Sequence, residues 1–413
     1  MMKILFVSNL YPPNVLGGYE ELCSEVASRL SERGYEVSVL TSSYGAKLAD
    51  NSNPRMKVRQ GLRLVVGQSV YQPFAGRNDR RNMRNIQNAE ALRSAVDDFA
   101  PDVIFCWNLF GLDRPFFEAL QTLRLPIVAM LTDNWLAGML NSSFVGAYHE
   151  ECVLGARAPT DWPSNGGLRL QLPQNVSAIF GSNFMRDFYY ASGVIISNGA
   201  VIHNGVNMQL NYHKRAPESR TIDSEVRLLF AGRVVEMKGV STAVRALSKL
   251  IRERPNIDWK LSIVGDMKDT QYIEGLMALA KAEGCAHAID LRNRVPPEDL
   301  PQLFNSHDIY VFPSLYEPFS LTLIHALESG IPSVVSSTGG NLEIVKDGDT
   351  GLLFQKGDPN DMARSILRLV GDPALRQHVS KRAAAIASQF STAEMIERMD
   401  AHLLSARRAY FDR

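Results

Sequence analysis

Short apolar runs alternate along this chain with stretches whose apolar residues recur at helical spacing. Residues 3–8 form a nearly continuous apolar run, as expected of a parallel strand covered on both faces. Pro12 and Pro13 break it, and Gly17 and Gly18 follow. Leu22, Val26 and Leu30 then fall on one face of a helix over 19–33 that Gly34 stops. Residues 36–40 give the next strand. This strand–helix–strand opening predicts a doubly wound α/β domain. Buried strands are also predicted at 101–106 and 127–131, and a helix over 78–99. The stretch around 45–60 has little apolar content. Residues 147–173 are largely polar and read as a long loop or lid. The segment 208–224 lacks a period and reads as a domain linker. A second series then begins with a strand at 226–230 and continues through strands at 260–264, 289–291, 309–312 and 333–336, with helix from 375 onward.

The organising stretch is 312–332, FPSLYEPFSLTLIHALESGIP. An apolar strand ends at Phe312, and Pro313, Ser314 and Pro318 punctuate a loop. Leu321, Ile324 and Leu327 then recur at helical spacing until Gly330 and Pro332 stop the element. A helix start offers unpaired N–H groups and a partial positive charge, which suits a phosphate at Ser320 and Leu321. Glu317 lies just ahead of that start, and its two oxygens can accept from a pair of sugar hydroxyls. The plain alternative is an ordinary strand-to-helix turn with a solvated glutamate.

Composition narrows the partners. The chain has 413 residues, room for two domains, with 45% hydrophobic and 21% charged residues. Lys+Arg and Asp+Glu both total 44, which argues against nucleic acid as a partner. Cys23, Cys106, Cys152 and Cys285 are scattered, as for reduced thiols in a cytoplasmic protein; no metal-ligand cluster is visible. The amino terminus reads as a first strand rather than a signal peptide, and no apolar run reaches membrane-spanning length, so the expectation is a cytoplasmic protein, soluble or membrane-peripheral. Arg77, Arg80, Arg81 and Arg84 share one face at the start of the 78–99 helix. They read as a solvated face or as a docking patch for an anionic acceptor or membrane surface.

Other candidate residues stand after strands, where open α/β sheets bind ligands. Gly17 and Gly18 lack the dinucleotide fingerprint, which argues against a nicotinamide or flavin cofactor, yet they let a ligand approach backbone amides. Trp107 and Asn108 end one strand; Thr132, Asp133 and Trp135 follow another. Aromatic faces beside amide and carboxylate groups suit a sugar, and core packing of the tryptophans is the alternative. Arg233, Lys238 and Gly239 lie in a loop before a helix. A guanidinium and an ammonium there suit a phosphate. Gly339 and Gly340 form another glycine-rich turn ahead of a predicted helix.

The series Glu317-Pro-Phe-Ser-Leu … Ala326-Leu-Glu-Ser-Gly-Ile-Pro resembles the donor-site signature of the retaining GT-B glycosyltransferases of family 4: a Glu, seven residues, then a second Glu. Gly17, Gly18 and Glu20 are similar to the family's GG-x-E, which lies in its interdomain cleft beside donor phosphates and acceptor. Arg233, Lys238 and Gly239 match GRL-x-x-x-KG, whose cations neutralise the donor diphosphate. Residues 201–207, VIHNGVN, match the family's hinge, with His203 in place of proline. The resemblance implies a GT-B fold, with two doubly wound Rossmann-like domains facing across a deep cleft. The expected bounds are 1–207 on the acceptor side and 208–394 for the nucleotide sugar, with a last helix over 395–413 crossing back onto the first domain.

The resemblance also assigns roles. Glu317 holds hydroxyls of the transferred sugar, Arg233 and Lys238 meet the diphosphate, and Arg294 marks where backbone reads the base. Ser320, Leu321, Gly339 and Gly340 supply amides. Glu20, Trp107, Asn108, Thr132, Asp133 and Trp135 are sugar or acceptor candidates. Three departures stand out: His325 holds the place of the second, ribose-binding Glu, Ser320 replaces a Gly, and Thr132 stands where many members carry His. The implied reaction is retaining, metal-independent transfer from a nucleotide diphosphate sugar to a hydroxyl of a glycan, lipid-linked or small-molecule acceptor, with no cofactor. A non-catalytic GT-B partner subunit with a drifted donor site, and a GT-B epimerase, are the competing classes.

Overall fold

The computed structural model describes residues 2–45, 56–67, 70, 72–208 and 224–412. Most of the predicted linker, 209–223, lies outside the described residues. Contacts divide the chain into two units. The first contains Met1–Tyr148, Trp162–Ile202 and Met395–Arg413, and the second contains His149–Asp161 and His203–Glu394.

The first unit runs β1 (Lys3–Val7), α1 (Gly18–Glu32), β2 (Glu36–Ser42), β3 (Met56–Leu62), α2 (Asn78–Phe99), β4 (Val103–Cys106), α3 (Arg114–Thr122), β5 (Ile127–Leu131), α4 (Trp135–Leu140), α5 (Ser142–Tyr148), β6 (Leu170–Gln171), β7 (Val176–Phe180), α6 (Asn183–Ala191), β8 (Val194–Ile195) and β9 (Asn198–Val201). Its main sheet is parallel throughout, in the order β3-β2-β1-β4-β5-β7-β9, with β6 and β8 paired separately. β1, β4, β5 and β7 are buried nearly end to end, which is why they read as continuous apolar runs.

The second unit runs β10 (Glu225–Ala231), α7 (Val240–Glu253), β11 (Asp258–Gly265), α8 (Thr270–Ala282), β12 (Ile289–Asn293), α9 (Leu300–Asn305), β13 (Ile309–Phe312), α10 (Leu321–Ser329), β14 (Ser333–Ser336), α11 (Asn341–Ile344), β15 (Leu352–Phe354), α12 (Pro359–Gly371) and α13 (Pro373–Ile386). Its sheet is also parallel, in the order β12-β11-β10-β13-β14-β15. In each sheet the strand order reverses beside the first strand, at β1/β4 and at β10/β13. Ligands of open parallel sheets bind beyond the carboxyl ends of the strands at such points.

The last helix, α14 (Thr392–Phe411), belongs to the first unit from Met395 onward. Met395, Ile396, Met399 and Leu403 enter the core built by β1, α1 and β4. Arg33 pairs with Glu397 at 2.9 Å and Asp400 at 3.1 Å, and Tyr35 donates to Asp400 at 2.6 Å.

Three expectations change. The last strand of the first sheet is β9, which ends at Val201 where the hinge-like segment begins; it is an edge strand with two exposed residues, so it carries little apolar signal. β3 is likewise a polar edge strand hidden in a low-apolar stretch. The 147–173 loop is partly ordered: α5 runs into a π-helical turn at His149–Leu154 that belongs to the second unit. The ammonium of Lys356 donates to the carbonyls of Cys152, Val153 and Gly155 at the end of that turn. A helix end satisfied by a lysine so far along the chain leaves no local sequence sign.

Trp107 sits in the first core rather than at its surface. Its ring is 0% exposed, stacked on Phe6 and tilted or edge-on to Phe105 and Tyr19 at 6.3, 5.4 and 5.4 Å. Its indole N–H has no partner among the described residues. Trp107→Ala should therefore destabilise the protein by about 3–5 kcal/mol. Trp107→Phe keeps a ring and removes the orphaned donor, and should cost far less. Chemical denaturation of the full chain checks both.

Candidate active site

Two loops of the second unit are laced together at the β10/β13 reversal. After β10 the chain runs through Gly232 and Arg233 to a short 3-10 turn at Glu236–Lys238, and Gly239 starts α7. Gly239 has φ 62°, and a Cβ there would lie 2.1 Å from the Pro313 carbonyl oxygen, so only glycine fits. Leu315 N–H donates to the Met237 carbonyl at 2.8 Å. This contact sets the loop after β13 against the loop after β10.

Lys238 and Glu317 meet there. Lys238 Nζ lies 2.5 Å from Glu317 Oε2, with side chains 16% and 6% exposed. The Ser314 hydroxyl also donates to Glu317 Oε2 at 3.4 Å, and the ammonium stands 5.5 Å from the Phe312 ring centre. The carboxylate keeps its second oxygen for another donor, and the ammonium keeps two further N–H groups. Tyr310 lies beneath, its phenol pushed up by burial and so kept protonated; it donates to the Ala231 carbonyl and Thr322 Oγ1, both at 3.3 Å.

α10 begins at the end of the Glu317 loop. Ser320 is its N-cap, with Oγ accepting from Leu323 N–H at 3.1 Å, and Gly330 with φ 69° ends it. The cap takes one donor. The N–H groups of Ser320, Leu321 and Thr322 have no acceptor among the described residues. The serine that replaces the family's glycine thus tightens the helix start without using all its donors. Gly340 does not supply a free amide: its N–H donates to the Glu317 carbonyl at 2.8 Å. A Cβ on Gly340 would stand 2.1 Å from the Pro318 carbonyl oxygen, so its part is to let the two turns close together. Gly339 carries no such bond among the described residues, and α11 after it is a single turn.

His325 lies on α10, largely buried, with Nδ1 3.7 Å from Glu328 Oε2. That oxygen has no hydrogen-bond partner among the described residues. Glu328 was missed from sequence; its spacing of three from His325 on a helix was the available signal. Arg233 is half-buried in the loop after β10, and Arg294 is exposed just past β12.

In the first unit the candidates divide. Glu20 is buried and its Oε2 accepts from Leu16 N–H at 3.3 Å and Gly17 N–H at 2.9 Å. It braces the turn that carries Gly17 and Gly18 into α1, a capping role rather than a free carboxylate. Trp107 and Trp135 are buried and present no face to a sugar; Trp135 Nε1 donates to the Met130 carbonyl at 3.1 Å. Core packing is the reading that holds for both. Asn108 and Asp133 bond each other at 3.2 Å, and Asp133 Oδ1 accepts from Trp135 N–H at 3.0 Å. The Thr132 hydroxyl is buried with no hydrogen-bond partner among the described residues. Burial, with Asp133 nearby, pushes the Tyr19 and Tyr189 phenols well above their ordinary range, so both remain donors, to the Met130 carbonyl at 3.1 Å and the Asp133 carbonyl at 2.9 Å.

The arginine face of α2 is partly spent on internal contacts. Arg81 grips Asp113 through two bonds of 2.6 and 2.8 Å, and Arg84 donates to the Leu64 carbonyl at 2.5 Å while lying over Phe74. Arg77 pairs with Asp79 at 3.4 Å. Among the described residues no three metal-ligating side chains cluster, and no helix is long and apolar enough to cross a membrane. All four cysteines are free and buried.

Comparison with known proteins agrees with this architecture. The chain is 28% identical over 397 residues to a D-inositol 3-phosphate glycosyltransferase of Corynebacterium diphtheriae, covering 93% of this chain and 88% of that relative. Sucrose-phosphate synthase from Thermosynechococcus elongatus superposes with a TM-score of 0.74 at 19% identity, over 97% of this chain and 98% of that one. The Anabaena protein HepE, solved with UDP and glucose, superposes with a TM-score of 0.69 at 20% identity, over 98% of this chain and 100% of that one. Residues 16–210 match the Glycosyltransferase Family 4 model and residues 214–385 match Glycosyl transferases group 1, and the protein belongs to the family 4 glycosyltransferases of GT-B fold.

Proposed function

We propose that this glycosyltransferase moves a sugar from a nucleoside diphosphate sugar to an acceptor hydroxyl with retention at the anomeric carbon, its diphosphate charge met by protein groups. The observation that carries this reading is the buried Lys238–Glu317 contact of 2.5 Å beside the uncapped amides of α10. A cation and helix-start donors suit a diphosphate, and the adjacent carboxylate suits the hydroxyls of the sugar it bears. Arg233, at the end of β10, adds a second cation to the phosphates.

In the proposed reaction the bond from C1 to the phosphate oxygen breaks and negative charge builds on the departing diphosphate. Lys238, Arg233 and the Ser320–Leu321 amides stabilise that charge, the interaction that contributes most in many enzymes. The acceptor oxygen bonds to C1 on the same face, and its proton passes to the departing phosphate oxygen. Glu317 orients the sugar and is not the nucleophile. Asn108, Thr132 and Asp133, at the carboxyl edge of the first sheet, are proposed to meet the acceptor.

UDP-glucose is the first donor to test, because the similarly folded Anabaena protein binds UDP and glucose. Incubation with UDP-, GDP-, ADP- and dTDP-sugars, followed by proton NMR, tests the reading. The anomeric coupling of the transferred sugar, or of the sugar first released by slow hydrolysis, should match that of the donor. An inverted product refutes retention. Nucleotide binding with neither transfer nor hydrolysis favours the non-catalytic partner reading.

We also propose that His325 and its helix hold the ribose, with one acceptor on a neutral imidazole where a carboxylate offers two oxygens. A glutamate at 325 would face Glu328, and like charges oppose each other. The double variant H325E/E328A should therefore bind nucleoside diphosphate about tenfold more tightly than wild type, by the worth of one charged hydrogen bond. H325E alone should gain less. Isothermal calorimetry reads both, and unchanged affinity in the double variant contradicts the ribose assignment.

A further inference from the structure

His203 stands where the resembling hinge segment carries proline, and its ring makes contacts no proline can make. The imidazole lies parallel to Phe319, with ring centres 4.9 Å apart and planes 10° apart, and tilts against Phe390 at 5.8 Å. Its Nε2 lies 2.9 Å from Glu343 Oε2. The segment that carries it is held in place, since Val206 N–H donates to the Phe390 carbonyl at 2.9 Å and Thr392 N–H to the Val206 carbonyl at 3.0 Å.

Both partners belong to walls of the candidate donor site. Phe319 is buried two residues after Glu317 and directly before Ser320. Glu343 follows the turn whose Gly340 N–H holds the Glu317 carbonyl at 2.8 Å. One imidazole thus ties the Glu317–Ser320 loop to the turn at 339–343. An imidazole–carboxylate hydrogen bond across 140 positions of sequence, combined with a flat stack, adds to the Gly340 N–H bond to the Glu317 carbonyl and the Thr338 hydroxyl bond to the Leu315 carbonyl that already join these turns.

We propose that His203 is a positioning residue for the donor loop: clamped between Glu343 and the Phe319 ring, it sets the placement of Glu317 and of the α10 amides that receive the nucleotide sugar. The proposal rests on the donor reading of this site. It predicts that the clamp acts on donor affinity rather than on the chemical step, because among the described residues the hydrogen bond and ring contacts of His203 go to Glu343, Phe319 and Phe390 and not to Glu317 or Lys238.

The test uses the full-length chain with H203A, H203Q, E343A and the double variant H203A/E343A. Hydrogen–deuterium exchange is read first on the unliganded proteins, and steady-state kinetics with UDP-glucose second. H203A and E343A should each speed exchange across 315–322. Each should raise the donor KM about tenfold, the worth of one hydrogen bond to a charged group, with kcat little changed. The double variant should be no worse than H203A, which already removes both the Glu343 bond and the Phe319 stack. H203Q, which keeps a donor toward Glu343 and loses the flat stack, should fall between wild type and H203A. Unchanged exchange across 315–322 in both single variants overturns the proposal, as do additive effects in the double variant or a loss confined to kcat. The exchange measurement needs no ligand, so a wild-type protein that binds no nucleotide sugar would refute the donor reading while the linkage is still read separately.

Discussion

Glu317→Gln should lower kcat/KM for sugar transfer by roughly a hundredfold, the worth of about two charge-assisted hydrogen bonds to sugar hydroxyls. The same change should leave binding of the nucleoside diphosphate without its sugar intact or stronger. Lys238 spends one N–H on Glu317 at 2.5 Å, and the neutral amide would release much of that hold and free the ammonium for phosphate. Nucleotide and nucleotide-sugar affinities should therefore move in opposite directions. Steady-state kinetics and calorimetry with UDP and UDP-glucose read this split. If E317Q weakens UDP as much as UDP-glucose, the carboxylate does not grip the sugar.

Lys238→Ala should do more damage, and of two kinds. The variant removes a cation from the place where diphosphate charge is proposed to build, which should lower kcat by about 10²–10³-fold. It also strands the Glu317 carboxylate, whose side chain is 6% exposed, without its counter-charge. Breaking a buried pair from one side costs about 3–5 kcal/mol. The double variant K238A/E317Q removes the stranded charge, so it should be more stable than K238A alone while remaining as inactive. Denaturant unfolding and turnover assays of the same three proteins separate the structural from the catalytic loss. Equal stability of K238A and the double variant would show that the ion pair does not carry the loop.

Much of the second unit was legible because its signals are local. The change of period after Phe312, the serine at the helix start and the glycine that stops α10 all act within a few residues of themselves. The Arg233 loop was legible for the same reason, since the glycine starting α7 is fixed by its own backbone angle. What remained hidden was long-range. Lys238 and Glu317 are 79 positions apart and were read as two separate roles; their direct contact depends on the strand order that brings β10 beside β13. The Gly340 amide read as a phosphate donor because a glycine-rich turn normally frees its N–H groups. Here the Glu317 carbonyl takes it.

The first unit was misread chiefly through its aromatic residues. Trp107 and Trp135 stand at strand ends, where ligands bind in such sheets, but their rings turn into the core and their neighbours Asn108, Thr132 and Asp133 carry polar groups at that edge. A position at a strand's end fixes the backbone's place and not the side chain's direction. Glu20 shows the converse. It lies three residues after Gly17, the spacing at which a side chain reaches back to a helix-start amide, and capping was readable from that interval.

The central claim is that the second unit receives a diphosphate between Lys238 and the start of α10. A crystal structure with the nucleoside diphosphate that gives the largest thermal shift tests it most directly. The account predicts phosphate density in contact with Lys238 Nζ and the amides of Ser320 and Leu321, with the Glu317 carboxylate within hydrogen-bonding reach of the sugar when the nucleotide sugar is used. A nucleotide bound elsewhere, with Lys238 still held on Glu317 and the α10 amides facing solvent, would contradict it.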